Sequence, residues 1–171
     1  AFLNEHKDRK ISFLKVSDYN TKGMDYEEDN NKSGFYSFVQ SIGNSSKQDA
    51  GAGGSFGFGK AAYYDLSNSR SILVSSRTTE DKVAFQGCSM LCTHKMNGNR
   101  INFSGFYDNG GGKPIVEENE IPQCFQRADA GTDVYLLHVN DDSAQLKEYE
   151  SSIIRSVLLN FWCAIYNNTL E

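Results

Sequence analysis

The sequence, 171 residues long, has no apolar run long enough to span a bilayer and no secretory h-region at its start. A membrane-embedded or signal-bearing protein is therefore not expected, and a cytoplasmic one is. Positive charge is in deficit: 17 Lys and Arg against 22 Asp and Glu leave a net charge of −5, which argues against direct, nonspecific nucleic-acid binding. Cysteine is sparse. The spacing of Cys88, Cys92, Cys124 and Cys163 matches no zinc pattern. Cys88, Cys92 and His94 have the parity of one strand face, but core thiols in a reducing cytosol are the better reading. Histidine is sparse too. His6 and His138 stand alone, His138 as a structural residue in an apolar strand, and His94 sits near a turn. No Ser/His/Asp or Cys/His set has supporting context, so no hydrolase triad is expected. There is no internal repeat and no low-complexity tail. The chain starts at Ala1 without an initiator Met, and Glu171 closely follows an apolar helix. Both ends read as cuts, so residues 1–171 are expected to be a single domain taken from a longer protein. At 39% hydrophobic and 23% charged, that domain should have a real core.

What is abundant is glycine in one stretch, residues 51–60, GAGGSFGFGK. Dense glycine lets a ligand approach the main chain closely. The residues from Lys60 onward read as a helix start, where unpaired N–H groups favour an anion, usually phosphate. A P-loop fits at Gly54, Gly59 and Lys60, but Ala61 stands where a Ser or Thr hydroxyl should meet Mg²⁺. A kinase glycine loop has the look of GSFGFGK, but no H-R-D or D-F-G follows. A flexible linker is disfavoured by Phe56 and Phe58, since linkers seldom carry alternating aromatics.

The rest of the chain alternates strands and helices. Residues 11–17, ISFLKVS, read as a strand ending at Asp18, and DYNTKGM (18–24) as a loop presenting a carboxylate. Phe35, Phe38, Val39 and Ile42 have helical spacing, with Gly43 as a stop. KAAYYDLSNS (60–69) reads as a short helix. Residues 71–78 and 82–91 read as strands joined through Glu80-Asp81. Residues 100–108 read as a third strand entered by a turn at Asn97-Gly98, and residues 133–139 as a fourth. From about Ser143, Ile153, Ile154, Val157, Leu158, Phe161, Trp162 and Ile165 form one helical stripe. The expected fold is α+β: a two-layer sandwich in which a mainly antiparallel, mixed sheet is covered on one face by helices.

Three pieces then fall in order: DYNTKGM after a strand, GGSFGFGK opening a helix, and Gly131-Thr132 before a strand. Together they resemble the GHKL, or Bergerat-fold, ATP-binding domains of the gyrase, heat-shock chaperone, histidine kinase and MutL superfamily. FQG…THK…GFY…IP..F.R…GTDVYLL further resembles bacterial ATP-binding proteins of that superfamily. The resemblance implies that Asp18 accepts a hydrogen bond from the adenine amino group. Gly23 and Met24 would line the adenine pocket beside Asn20, which stands where the family usually has glycine. Thr132 would support Asp18 and the base. Gly54, Gly57, Gly59 and Lys60 would meet the phosphates, with Ser55, Phe56 and Phe58 completing the box. Residues 25–52 would be a lid, from which Lys47 reaches phosphate. The cofactors implied are ATP and Mg²⁺. The family's first motif, a helix with a water-activating acid and a Mg²⁺-holding Asn, should precede residue 11, where this chain has no room for it. The catalytic acid and the Mg²⁺ ligand are therefore expected outside the chain. Asn160 lies on a helix at the wrong end to replace it. The implied activity is an ATP-driven conformational switch, hydrolysing ATP in the parent protein, with its other domains or a homodimer of the ATP-bound form as partners. The alternative is a nucleotide-binding or protein-interaction module without turnover. Arg127, just before Gly131, reads either as a structural ion pair or as a partner contact.

Overall fold

The structure, a computed structural model, describes residues 12–28, 33–40, 58–139 and 142–169. Contacts divide the chain into two compact units, Ala1–Val139 and Asn140–Glu171, where the sequence suggests one domain.

The first unit is built on a five-stranded sheet. Its strands are β1 (Phe13–Ser17), β2 (Ser71–Arg77), β3 (Val83–Met90), β6 (Ser104–Tyr107) and β7 (Gly131–Leu137), in the order β1-β7-β2-β3-β6. Every pairing is antiparallel. The α+β class is as expected, and among the described residues the sheet has no parallel pairing. β2 and β3 are joined by a tight hairpin, with Asp81 at φ 67°. The chain adds β7 between β1 and β2 without a parallel crossover.

Register sets the core. Ile72 stands opposite both Leu136 and Cys88, and Val74 opposite Val134, so these side chains share one face. The helices α1 (Gly34–Val39) and α2 (Ala61–Leu66) cover that face through Phe35, Val39 and Tyr64. Burying each large apolar side chain there contributes about 1.5–3 kcal/mol. The other face holds Leu73, Val83 and Phe85, packed against Ile115, Ile121 and Phe125. The covering segment runs from residue 109 to 130 and contains short 3-10 turns and an isolated antiparallel bridge of Ile115 to Phe85. With both faces covered, β2 is buried at Val74, Ser75, Ser76 and Arg77 without alternation.

α1 begins on a specific seat. Ser33 Oγ accepts from the Tyr36 amide at 3.4 Å, and the Gly34 amide donates to Asp25 Oδ1 at 3.1 Å. These bonds satisfy first-turn donors that the helix itself leaves open. Ile42 and Gly43, expected to finish this helix, lie outside the described residues. A 3-10 turn, Phe58–Lys60, leads into α2.

Two local expectations are corrected. The strand expected over residues 100–108 is two strands. β5 (Asn99–Ile101) pairs with β4 (His94–Met96) through the Asn97-Gly98 turn, and β6 starts anew at Ser104 to pair with β3. The break falls at Asn102, whose side chain accepts from the Phe103 amide at 2.8 Å, a local bond that competes with the ladder. His138 is not in a strand either. β7 ends at Leu137, and His138 is exposed with φ 54°, a conformation that closes the strand.

The second unit contains α3 (Ser143–Tyr166). Its 24 residues span about 36 Å at helical rise. Among the described residues nothing else in this unit covers its apolar stripe, and Leu158 and Trp162 are exposed. Asn160 Nδ2 donates to the Ser156 carbonyl one turn back at 2.8 Å. No helix among the described residues is long and apolar enough to cross a membrane.

Candidate functional site

The register Ser17↔Asp133 brings the end of β1 beside the start of β7. Asp18 is therefore opposite Thr132, 114 residues away in sequence. The Asp18 amide donates to the Thr132 carbonyl at 3.0 Å. The Thr132 amide donates back, to the Asp18 carboxylate oxygen Oδ1. A side chain thus takes the place that the next ladder carbonyl would have filled. Thr21 Oγ1 donates to the same Oδ1 at 3.2 Å and accepts from the Gly23 amide at 3.3 Å.

The loop after Asp18 is laid across the ends of β7 and β2. Its anchor is Ser76, opposite Thr132 in the ladder and 1% exposed. Ser76 Oγ accepts from the Met24 amide at 2.7 Å and lies 3.4 Å from Thr132 Oγ1. Two glycines permit the closeness. Gly23 has φ 68°, and a Cβ there would overlap the Arg77 carbonyl. Gly131 has φ 135°, and a Cβ there would lie 2.6 Å from both Asp18 O and Asp18 Oδ1. Neither conformation nor space suits another residue.

Tyr63 of α2 is half-buried, with its ring 6.0 Å from that of Phe38 in α1. Burial raises its hydroxyl pKa, and the Asp18 charge adds to the shift. Outside the loop, residues 19–22 face Thr79, Asp129 and Ala130 across an open cleft of about 700 Å³, and Asp18 does not line it.

Of the residues expected in a nucleotide site, the structure brings together Asp18, Gly23, Met24 and Thr132. Asn20 is in the same loop, with φ 57°, a left-handed conformation that asparagine tolerates. Gly59 and Lys60 open the helical segment. Gly59 is exposed, and no atom of the described residues lies within 4 Å of its Cβ position. Lys60 is 9% exposed, and its ammonium donates to the Ser37 and Phe38 carbonyls, both at 3.1 Å. It thus caps the last turn of α1. Burial lowers its pKa. Lys47, Gly54, Ser55, Phe56, Gly57, the side chain of Phe58 and most of the expected lid lie outside the described residues.

Ser76 and the role of Arg127 are not legible in the sequence. Ser76 lies in an apolar strand among other serines and carries no motif. Arg127 proves to be buried against Asp133. Cys88 is buried in the core, whereas Cys92 and His94 are exposed, so these three do not share a site. Among the described residues no group of three or more His, Cys, Asp or Glu side chains could hold a metal ion. Comparison of the chain with protein-family models, with curated proteins and with solved structures finds no match.

Proposed function

We propose that this chain binds ATP in a site of GHKL type and serves as the nucleotide-responsive part of a longer protein. One observation carries the reading: the Asp18 carboxylate, at the end of an edge strand, is held by the Thr132 amide with Gly131 directly against it. Three residue types that the resemblance names separately thus meet at one corner of the sheet. The chemistry suits adenine. Both side-chain bonds to Asp18 converge on Oδ1, and a carboxylate offers acceptor capacity on its second oxygen for an exocyclic amine. Guanine presents a carbonyl at that position and would be repelled.

The phosphates are assigned to the glycine box ahead of α2, where Gly59 is exposed just before a helix start. Mg²⁺ finds no set of ligands among the described residues. Hydrolysis in the parent protein, and pairing of the ATP-bound form with another domain or a second copy, extend the reading by analogy. A second reading, nucleotide binding without turnover, is favoured by Lys60, because its ammonium is already taken up by two carbonyls.

Titration of the protein with ATP and with GTP tests the proposal. ATP should bind and GTP should bind much more weakly. No binding of ATP, with or without Mg²⁺, would refute it.

A further inference from the structure

Behind the Asp18 corner, on the sheet face away from the helices, lies a buried cluster of charges. Arg127 is 7% exposed and Asp133 1%. Each nitrogen of the Arg127 guanidinium has its own partner. Nε donates to the Asp129 carbonyl at 3.0 Å, one terminal nitrogen to the Asp133 carboxylate, and the other to the main-chain carbonyl of Asp18. The guanidinium also lies over the Tyr19 ring, 5.1 Å from its centre. Asp133 is fixed in turn by Lys15 at 3.0 Å and by the Tyr135 hydroxyl at 3.3 Å. Arg77 Nε donates to the Arg127 carbonyl at 2.6 Å. The guanidinium is thus held from behind and reaches forward to the residue at the centre of the site.

We infer that Arg127 is a positioning residue for Asp18: anchored on Asp133, it fixes the Asp18 main chain so that the carboxylate meets the Thr132 amide and faces the nucleotide. The link to nucleotide rests on the function proposed above; the link between Arg127 and the Asp18–Thr132 bond does not. The geometry asks for arginine in particular. Only a planar fork offers separate donors to Asp129, Asp133 and Asp18 at once, while a lysine would satisfy the Asp133 charge with a single centre. Gly131 supports the same assignment. A Cβ there would run into both the Arg127 guanidinium and Asp18, so its absence lets the two meet.

The test is Arg127→Lys, read by amide hydrogen exchange and by ATP titration, beside native protein and Asp18→Asn. Losing a charge-assisted bond to the Asp18 carbonyl should speed Thr132 amide exchange about tenfold or more. Protection of the β2 and β3 amides should remain native. ATP affinity should fall about tenfold, by the same arithmetic, and the preference over GTP should narrow. Native Thr132 exchange in Arg127→Lys would overturn the inference whatever the protein binds. Native ATP affinity in Arg127→Lys, with loss in Asp18→Asn, would overturn the link to nucleotide and leave the proposed function standing. If native protein binds no ATP, the proposed function and that link both fall, while Thr132 exchange still decides the positioning. Should Arg127→Lys fail to fold, Arg127→Gln/Asp133→Asn removes both buried charges together and is read the same way. Loss of protection throughout the sheet in both variants would make Arg127 a stability residue only and overturn the inference.

Discussion

The Lys60 ammonium donates to the Phe38 carbonyl at 3.1 Å, tying the last residue of the glycine-rich stretch 51–60 to the end of α1. The same ammonium reaches the Ser37 carbonyl, and burial lowers its pKa below the ordinary 10.5. The sign follows from proton counting. Between the lowered folded value and 10.5 the folded protein binds fewer protons than the unfolded chain, so folding becomes more favourable as pH rises. Native stability should therefore rise relative to Lys60→Met on approach to pH 10.5 from below, and the charge penalty should be fully present at lower pH. Urea unfolding of both proteins at several alkaline pH values measures this. Parallel stability curves would mean that the ammonium is not desolvated.

Ser76→Ala should leave the Met24 amide without its acceptor. An unsatisfied buried donor costs about 1–3 kcal/mol, and the variant loses that much unless water reaches the amide. Denaturant unfolding gives the cost, and amide exchange at Met24 shows whether the loop has loosened. A neutral substitution with a protected Met24 amide would remove Ser76 from its anchoring role.

Gly131→Ala faces both strain and collision. The positive φ alone costs about 1–3 kcal/mol for a side-chain-bearing residue, and the new methyl must displace Asp18. Thermal unfolding should show a clear loss of stability, and ATP binding should fall with it. An alanine variant of native stability would contradict the close packing of Gly131 on Asp18.

Gly59→Val separates fold from function. A Cβ at Gly59 meets no atom of the described residues within 4 Å, so folding stability should stay within about 0.5 kcal/mol of native, as for a surface change. A branched side chain in the phosphate loop should nevertheless block the approach of phosphate to the main chain. Stability is read by urea unfolding and affinity by titration with ATP. Unchanged affinity would take Gly59 out of the phosphate site.

Much of the sheet was legible because its strands carry strong local signals. Residues 71–77 combine an apolar run with the Glu80-Asp81 turn, and residues 131–137 are nearly all buried. α3 was legible from its long stripe. The cover on the second sheet face was not, because Ile115, Ile121 and Phe125 follow no period and sit among 3-10 turns. The split at Asn102 was hidden because one side-chain bond outweighs a run that otherwise reads as strand. At the site, Asp18 and Thr132 could be chosen by motif order. Ser76 and Asp133 could not, since their roles exist only once the register places them beside Met24 and Arg127.

The central claim is that Asp18 reads the base. A hydrogen bond to a charged acceptor contributes about 1.5–3 kcal/mol, or roughly ten- to a hundredfold in Kd. Asp18→Asn keeps the size and can still accept from the Thr132 amide, but its amide group can turn a donor toward the adenine amine. The direct measurement is calorimetric titration of native and Asp18→Asn proteins with ATP and GTP, with Mg²⁺ present. The account predicts that native protein prefers ATP and that Asp18→Asn loses at least about tenfold in ATP affinity. Equal binding of the two nucleotides by native protein, or an Asp18→Asn variant that binds ATP as native does, would contradict it.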